Sequence, residues 1–203
     1  MAAKKPPPKR LSREEWLARA LDILALEGGA KLRVDAICDA LSVTKGSFYW
    51  HFNDRDDFVR SVVEFWSARF TDPVLERINA VGGAPRSRLR SLMRFVSEGG
   101  FARYDVSIRA WALQDPDLVA AIVKDVDERR LAFVGALFAD MGFKGRDAEM
   151  RARACVAYLS YEASGLAKTT DKHRSKMLEQ FLAVITQAAA SRSRNAAAAL
   201  DDG

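Results

Sequence analysis

Val43-Thr44-Lys45-Gly46-Ser47-Phe48-Tyr49-Trp50-His51-Phe52 reads as one short helix with two unlike faces. Thr44 carries a hydroxyl able to cap that helix, and Phe48 and Phe52 then fall one turn apart on the side that packs inward. At about 100° per residue, Gly46 and Trp50 lie opposite Phe48, flanked by Ser47 and Tyr49. The back is an apolar anchor and the front is polar and aromatic.

Just upstream, Val34, Ile37, Cys38 and Leu41 recur at the i, i+3, i+4, i+7 spacing of a second short amphipathic helix. Leu41-Ser42-Val43 leaves only a tight turn between the two, which predicts a helix-turn-helix. Before it, Ser12 and Glu15 form a capping-box pair, and Leu17, Ala20, Leu21 and Leu24 make a supporting first helix that ends at Gly28-Gly29. Behind it, Asp54 and Asp57 repeat the capping pattern. Phe58, Val62, Trp66 and Phe70 then carry a fourth helix toward Pro73.

The 203-residue chain is 49% hydrophobic and 29% charged, with few glycines and prolines, which excludes a disordered or fibrous protein. Its net charge of +5 permits nucleic-acid binding without requiring it. Lys4, Lys5, Lys9 and Arg10, with Pro6-Pro7-Pro8 among them, mark residues 1–10 as an extended basic arm. That arm reads either as a solubilising tail or as a reach toward phosphate or the minor groove. The two cysteines, Cys38 and Cys155, sit at helical apolar positions, no secretory leader or membrane-spanning run is visible, and the expected compartment is the reducing cytoplasm.

Beyond Pro73 the pattern stays helical, punctuated by glycine pairs. Asp115-Pro116 reads as a helix start with the acid as N-cap and proline in the first turn. A stripe from Val119 to Leu137 follows, then helices over 147–167 and 171–190 and a polar, alanine-rich tail over 191–203. The first of these two helices is rich in small residues, and the second places Leu178, Phe181, Leu182 and Ile185 on one face, so together they could form half of a two-fold four-helix bundle.

The expectation is an all-α protein of about nine helices: a basic arm (1–10), a three-helix helix-turn-helix domain (11–56), a helical domain able to dimerise (57–190) and a tail (191–203). No metal-ligand spacing, phosphate loop or nucleophile-base signature is present, and His51 and His173 lack partners for a metal site. An enzyme is therefore not expected, nor any cofactor.

The quoted run resembles the DNA-binding signature of tetracycline-repressor (TetR)-type transcriptional regulators. In that family a hydroxyl residue, a variable residue, Gly, Ser or Thr, an apolar residue, Tyr, a variable residue, His or Tyr, and Phe recur in this order, with a basic residue soon after. Here they stand as Thr44 to Phe52, followed by Arg55. Three positions depart from the common pattern: Ser42 replaces the usual turn glycine, Arg33 the usual hydroxyl cap, and Arg55 the usual lysine.

The resemblance implies that Thr44, Lys45, Gly46, Ser47, Tyr49, Trp50, His51 and Arg55 face double-stranded DNA, with Tyr49 and His51 on phosphates and Gly46 allowing close approach. Arg33, at the start of the second helix, is either a further backbone contact or a solvated charge. The resemblance also implies a homodimer on a palindromic operator, repression, and release by a small-molecule effector. Large residues on the central helices are the pocket candidates: Trp66, Met93, Phe101, Tyr104 and Arg109, with Trp111, Phe133, Tyr158 and Glu162. Ala157, Tyr161 and Ser164, with Leu178, Phe181, Leu182 and Ile185, are the interface candidates. A DNA-binding architectural protein without an effector stays open, as do a helical-bundle enzyme and a carrier.

Overall fold

The structure is a computed structural model that describes residues 11–29, 32–99, 101–163 and 170–188. The basic arm, the C-terminal tail and Ser164 lie outside the described residues. Within them the chain forms ten α-helices and no strand. These are α1 (Arg13–Glu27), α2 (Val34–Leu41), α3 (Lys45–His51), α4 (Arg55–Phe70), α5 (Asp72–Val81), α6 (Pro85–Glu98), α7 (Ala102–Gln114), α8 (Ala121–Asp140), α9 (Gly145–Ala163) and α10 (Asp171–Ile185).

Local chemistry sets the first four. The Ser12 hydroxyl accepts from the Glu15 amide at 3.1 Å and the Glu15 carboxylate accepts from the Ser12 amide at 2.7 Å, a closed capping box. Thr44 accepts from the Ser47 amide at 3.2 Å, and Asp54 accepts from the Asp57 amide at 2.7 Å. Arg33 occupies the cap position of α2 without any side-chain cap bond.

Ser42 ends α2 in the left-handed region, at φ 53° and ψ 44°. A side chain there costs about 1–2 kcal/mol, partly offset in a glycine variant by the greater freedom of its unfolded chain, about 0.5–1 kcal/mol. Ser42→Gly is expected to stabilise the protein by about 0.5 kcal/mol and raise the melting midpoint by roughly 1–2 °C. A calorimetric scan showing a lowered midpoint would contradict this account of the turn.

Two cores hold the helices together. In the first, Trp16, Leu21, Leu24, Ile37, Phe48, Phe52, Phe58, Val62 and Trp66 are joined by Ile108 and Trp111 of α7 and by Val119, Val123 and Val126. The helix-turn-helix thus has no separate core, and packing runs unbroken across the boundary expected at residue 56. A Cβ built on Gly29 would sit 2.6 Å from the Trp111 ring, so only glycine lets the α1–α2 loop approach α7 this closely. The second core joins α5, α6, α8, α9 and α10 through residues such as Ile78, Leu89, Met93, Phe138 and Cys155.

Two expectations change here. Helical winding starts at Pro116 with Asp115 in the cap position, as expected, but the Asp115 carboxylate makes no cap bond and Pro116–Ala120 winds as one π-helical turn ahead of α8. That wider turn leaves Val119 fully buried in the first core, a burial worth about 1.5–3 kcal/mol, more than a typical cap. Leu178, Leu182 and Ile185, expected at an interface, face the chain's own interior instead. They are 3%, 0% and 6% exposed, packed into the chain's own second core.

On the outer side of α9 and α10, Met150, Tyr161 and Val184 are 63%, 57% and 66% exposed, with Ala154, Ala157 and Met177 also outward. Phe181 is half-buried and stacks on Tyr158 with ring centroids 4.1 Å apart. Both cysteines are free and buried. Burial pushes the Cys155 thiol up to about 12 and the Cys38 thiol also rises, so neither is poised as a thiolate.

Candidate nucleic-acid interface and cavity

The orientation of α3 is fixed from behind. Trp16 meets Phe48 and Phe52 edge-on at 5.8 and 6.1 Å, and Phe58 lies 5.3 Å from Phe48 and 4.9 Å from Phe52. Each such aromatic pair adds about 0.5–1.5 kcal/mol beyond area burial, and together they leave α3 one way to sit. Phe48 and Phe52 are buried, while Tyr49 and Trp50 on the opposite side are 57% and 79% exposed.

Each expected contact residue is at least partly exposed. Arg33, Thr44, Lys45, Gly46, Tyr49, Trp50 and Arg55 are exposed, and Ser47 and His51 are half-buried. The Thr44 oxygen is used in capping, which leaves its hydroxyl proton to donate elsewhere. The inner edge of His51 lies against Trp16, ring centroids 6.4 Å apart. A Cβ on Gly46 would meet only the Thr44 hydroxyl, at an ordinary 3.7 Å, so the fold does not require glycine there.

Two of the basic residues are engaged by acids. Lys45 pairs with Asp35 of α2 at 2.6 Å, which raises the lysine pKa and lowers that of the carboxyl. Both side chains are exposed, so the pair adds little stability. Arg55 donates through Nη1 to Asp56 and through Nη2 to Asp115, each at 3.3 Å.

A cavity lies in the other half of the fold, between α4–α7 on one side and α8–α9 on the other. Its volume is about 80 Å³, and it is walled mainly by aliphatic groups, among them Val74, Leu92, Val96, Val134 and Leu159. Phe70 and Phe101 contribute rings, and Thr71, Asp105, Arg130 and Ser160 contribute polar atoms.

Of the nine pocket candidates, Phe101 lines this cavity. Trp66 and Trp111 are buried in the first core and Met93 in the second. Tyr104 stacks on Phe70 at 5.1 Å and donates to Asp22 of α1 at 2.8 Å. Tyr158 pairs with Phe181, while Phe133 and Glu162 are half-buried away from the cavity wall.

Arg109 belongs to an ion network behind that wall. It donates to Asp105 at 3.0 Å and to Asp127 at 2.7 Å, and the hydrogen bonds to Asp127 raise its pKa further. Arg130 donates to the second oxygen of Asp105 at 2.7 Å and to the Thr71 hydroxyl at 2.9 Å, with its guanidinium over Trp66. Two arginines and two aspartates balance, so the polar end of the cavity carries no net charge.

The chain thus joins an exposed helix-turn-helix face to an apolar cavity in its helical body. Residues 17–62 match the family model described as bacterial regulatory proteins, tetR family. The HTH-type transcriptional regulator AcrR of Shigella flexneri is 30% identical over 98 residues, and the transcriptional regulator AcuR of Cereibacter sphaeroides 31% over 101. Each alignment takes in 48% of this chain and 46% of the relative, so the chain spans about half the length of the curated relatives it matches.

Solved structures extend the likeness of fold to nearly the whole chain. A TetR-family transcriptional regulator from Streptomyces coelicolor superposes with a TM-score of 0.71 at 18% identity, covering 84% of this chain and 92% of that one. AibR, solved in complex with isovaleryl coenzyme A and operator DNA, gives 0.67 at 17% identity, covering 85% and 97%. No helix among the described residues is long and apolar enough to cross a membrane.

Proposed function

We propose that this chain is a transcriptional repressor that binds a palindromic operator as a homodimer and is released by a small, largely apolar effector. The observation that carries the reading is the division of α3: an aromatic back buried against Trp16 and Phe58, and a front on which Thr44, Lys45, Gly46, Tyr49 and Trp50 are exposed and Ser47 and His51 are half-buried. Gly46 supports it, since a glycine that folding does not require fits a helix backbone that must approach DNA closely. AibR, of similar fold, is described with operator DNA and an acyl-coenzyme A, which supports a ligand-responsive reading.

The outward apolar face of α9 and α10 suits a two-fold interface. A dimer built on it would set two α3 helices about 34–36 Å apart, one turn of DNA. The cavity suits a slender apolar molecule bearing a neutral hydrogen-bonding group, because a free carboxylate would unbalance the Arg130–Asp105 end. Such an effector lowers operator affinity only by its differential binding to the released conformation.

Selection of bound sequences from random DNA tests the reading and should recover a palindrome. On that site Tyr49→Ala is expected to weaken binding by at least roughly tenfold through loss of a hydrogen bond to phosphate, with the oligomeric state unchanged in sedimentation. Lys45→Ala should cost less, because its charge is already shared with Asp35. Equal affinity of Tyr49→Ala and the parent would remove Tyr49 from the contact set.

A further inference from the structure

The ion pairs at the DNA-facing end divide into local ones and one that crosses the chain. Lys45 pairs with Asp35 inside the helix-turn-helix, and Arg55 pairs through Nη1 with its neighbour Asp56. Through Nη2 the same Arg55 reaches Asp115, 60 residues on, at the far end of α7. The other end of α7 is at the cavity, where Phe101, just before the helix, and Asp105, in its first turn, form part of the wall. One helix therefore has an effector cavity at one end and a grip on Arg55 at the other.

We propose that Asp115 is a positioning residue for DNA binding: it holds Arg55 as an internal substitute for an operator phosphate, and Arg55 must leave it when DNA binds. This rests on the regulator reading above. A guanidinium fork recognises carboxylate and phosphate with the same planar pair of donors, so the two acceptors compete. At 3.3 Å, and with 44% of the Arg55 and 20% of the Asp115 side chain exposed, the internal bond is longer than an optimal charge-assisted one and readily exchanged. The Asp115 carboxylate makes no cap bond to the turn it begins.

The competition also gives the cavity a route to the DNA face. An occupant that shifts Phe101 and Asp105 shifts α7, and with it the carboxylate that draws Arg55 off the DNA. The route needs no change in α3, whose aromatic backing is rigid.

The test uses the full chain, the site recovered by selection, and the variants D115N, R55A and their combination. D115N should bind that site about two- to fivefold more tightly per half-site, the range of a partly exposed ion pair. Its affinity should fall more steeply with salt, by up to roughly 0.9 in log-log slope per half-site, since Arg55 is then held only by Asp56 and more of its charge is available to phosphate. In the R55A background the gain from D115N should vanish. Amide exchange across residues 112–120 should rise when operator is added to the parent and not when it is added to D115N.

Tighter binding that persists without Arg55 would make Asp115 a source of general repulsion and overturn the proposal, as would D115N binding equal to or weaker than the parent. Failure of the parent to select any site overturns the regulator reading itself, and this inference with it. A selected site with unresponsive D115N overturns the Asp115 assignment alone.

Discussion

Replacing Asp105 with alanine is expected to destabilise the protein by about 3–5 kcal/mol, the cost of leaving a buried charge without its partner. Asp105 is 8% exposed and accepts from Arg109 at 3.0 Å and Arg130 at 2.7 Å. Its two arginines differ in what they keep. Arg109 retains two bonds to Asp127, whereas Arg130 is left with the Thr71 hydroxyl and the face of Trp66. Most of the penalty therefore belongs to Arg130, and it can be relieved from that side.

The double variant Asp105→Ala/Arg130→Met removes one charge of each sign and leaves the Arg109–Asp127 pair balanced, so it should be more stable than Asp105→Ala alone despite carrying one more substitution. Chemical denaturation of the three proteins, with unchanged slopes, reads this directly. Equal destabilisation of single and double variants would mean that the cost lies in lost packing and not in the stranded guanidinium. Thr71, the other partner of Arg130, lies fully buried where α4 meets α5, so the same network also fixes the corner from which the cavity opens.

The helix-turn-helix was legible in the sequence because each of its signals is local. Capping pairs three residues apart, apolar spacing within one or two turns and an aromatic back at Phe48 and Phe52 need no knowledge of the rest of the chain, and the structure reproduces each of them. The cavity was not legible. Its wall is made of Val74, Leu92, Val134 and Leu159 from four helices, and an aliphatic residue beside a void carries the same local signature as one beside another side chain. Side-chain size therefore selected Trp66, Met93 and Trp111, which the cores had already filled.

Long-range polar partners were legible only in part. The i, i+4 spacing of Asp105 and Arg109 is visible in the sequence, and the pair forms. Asp127 and Arg130 enter the same network from α8, 18 and 25 residues distant from their partners, and no spacing rule points to them. Asp115 was legible only in position: Asp-Pro before an apolar stripe marks the helix start correctly, but the residue that claims its carboxylate lies 60 positions earlier.

The last helix separates packing within one chain from packing between chains most sharply. Leu182 is fully buried and Val184, two residues on, is 66% exposed. Leu182→Asp forfeits about 1.5–3 kcal/mol of apolar burial and adds the larger cost of a charge with no partner in the second core, so it should abolish cooperative unfolding or lower its midpoint drastically.

Val184→Asp should leave each protomer within about 0.5 kcal/mol of its parent stability, because the new carboxylate remains in water. If the outward face of α9 and α10 is the two-fold interface, association would press two such charges into an apolar contact, and sedimentation should show monomers that retain the parent's circular dichroism. Losing the second head should then weaken binding to the palindrome by two to four orders of magnitude, roughly the advantage of tethering two sites, while binding to an isolated half-site stays unchanged. A Val184→Asp protein that remains dimeric and binds the palindrome as tightly as its parent would place the interface on another face. A Leu182→Asp protein that folds normally would contradict the burial that distinguishes the two residues.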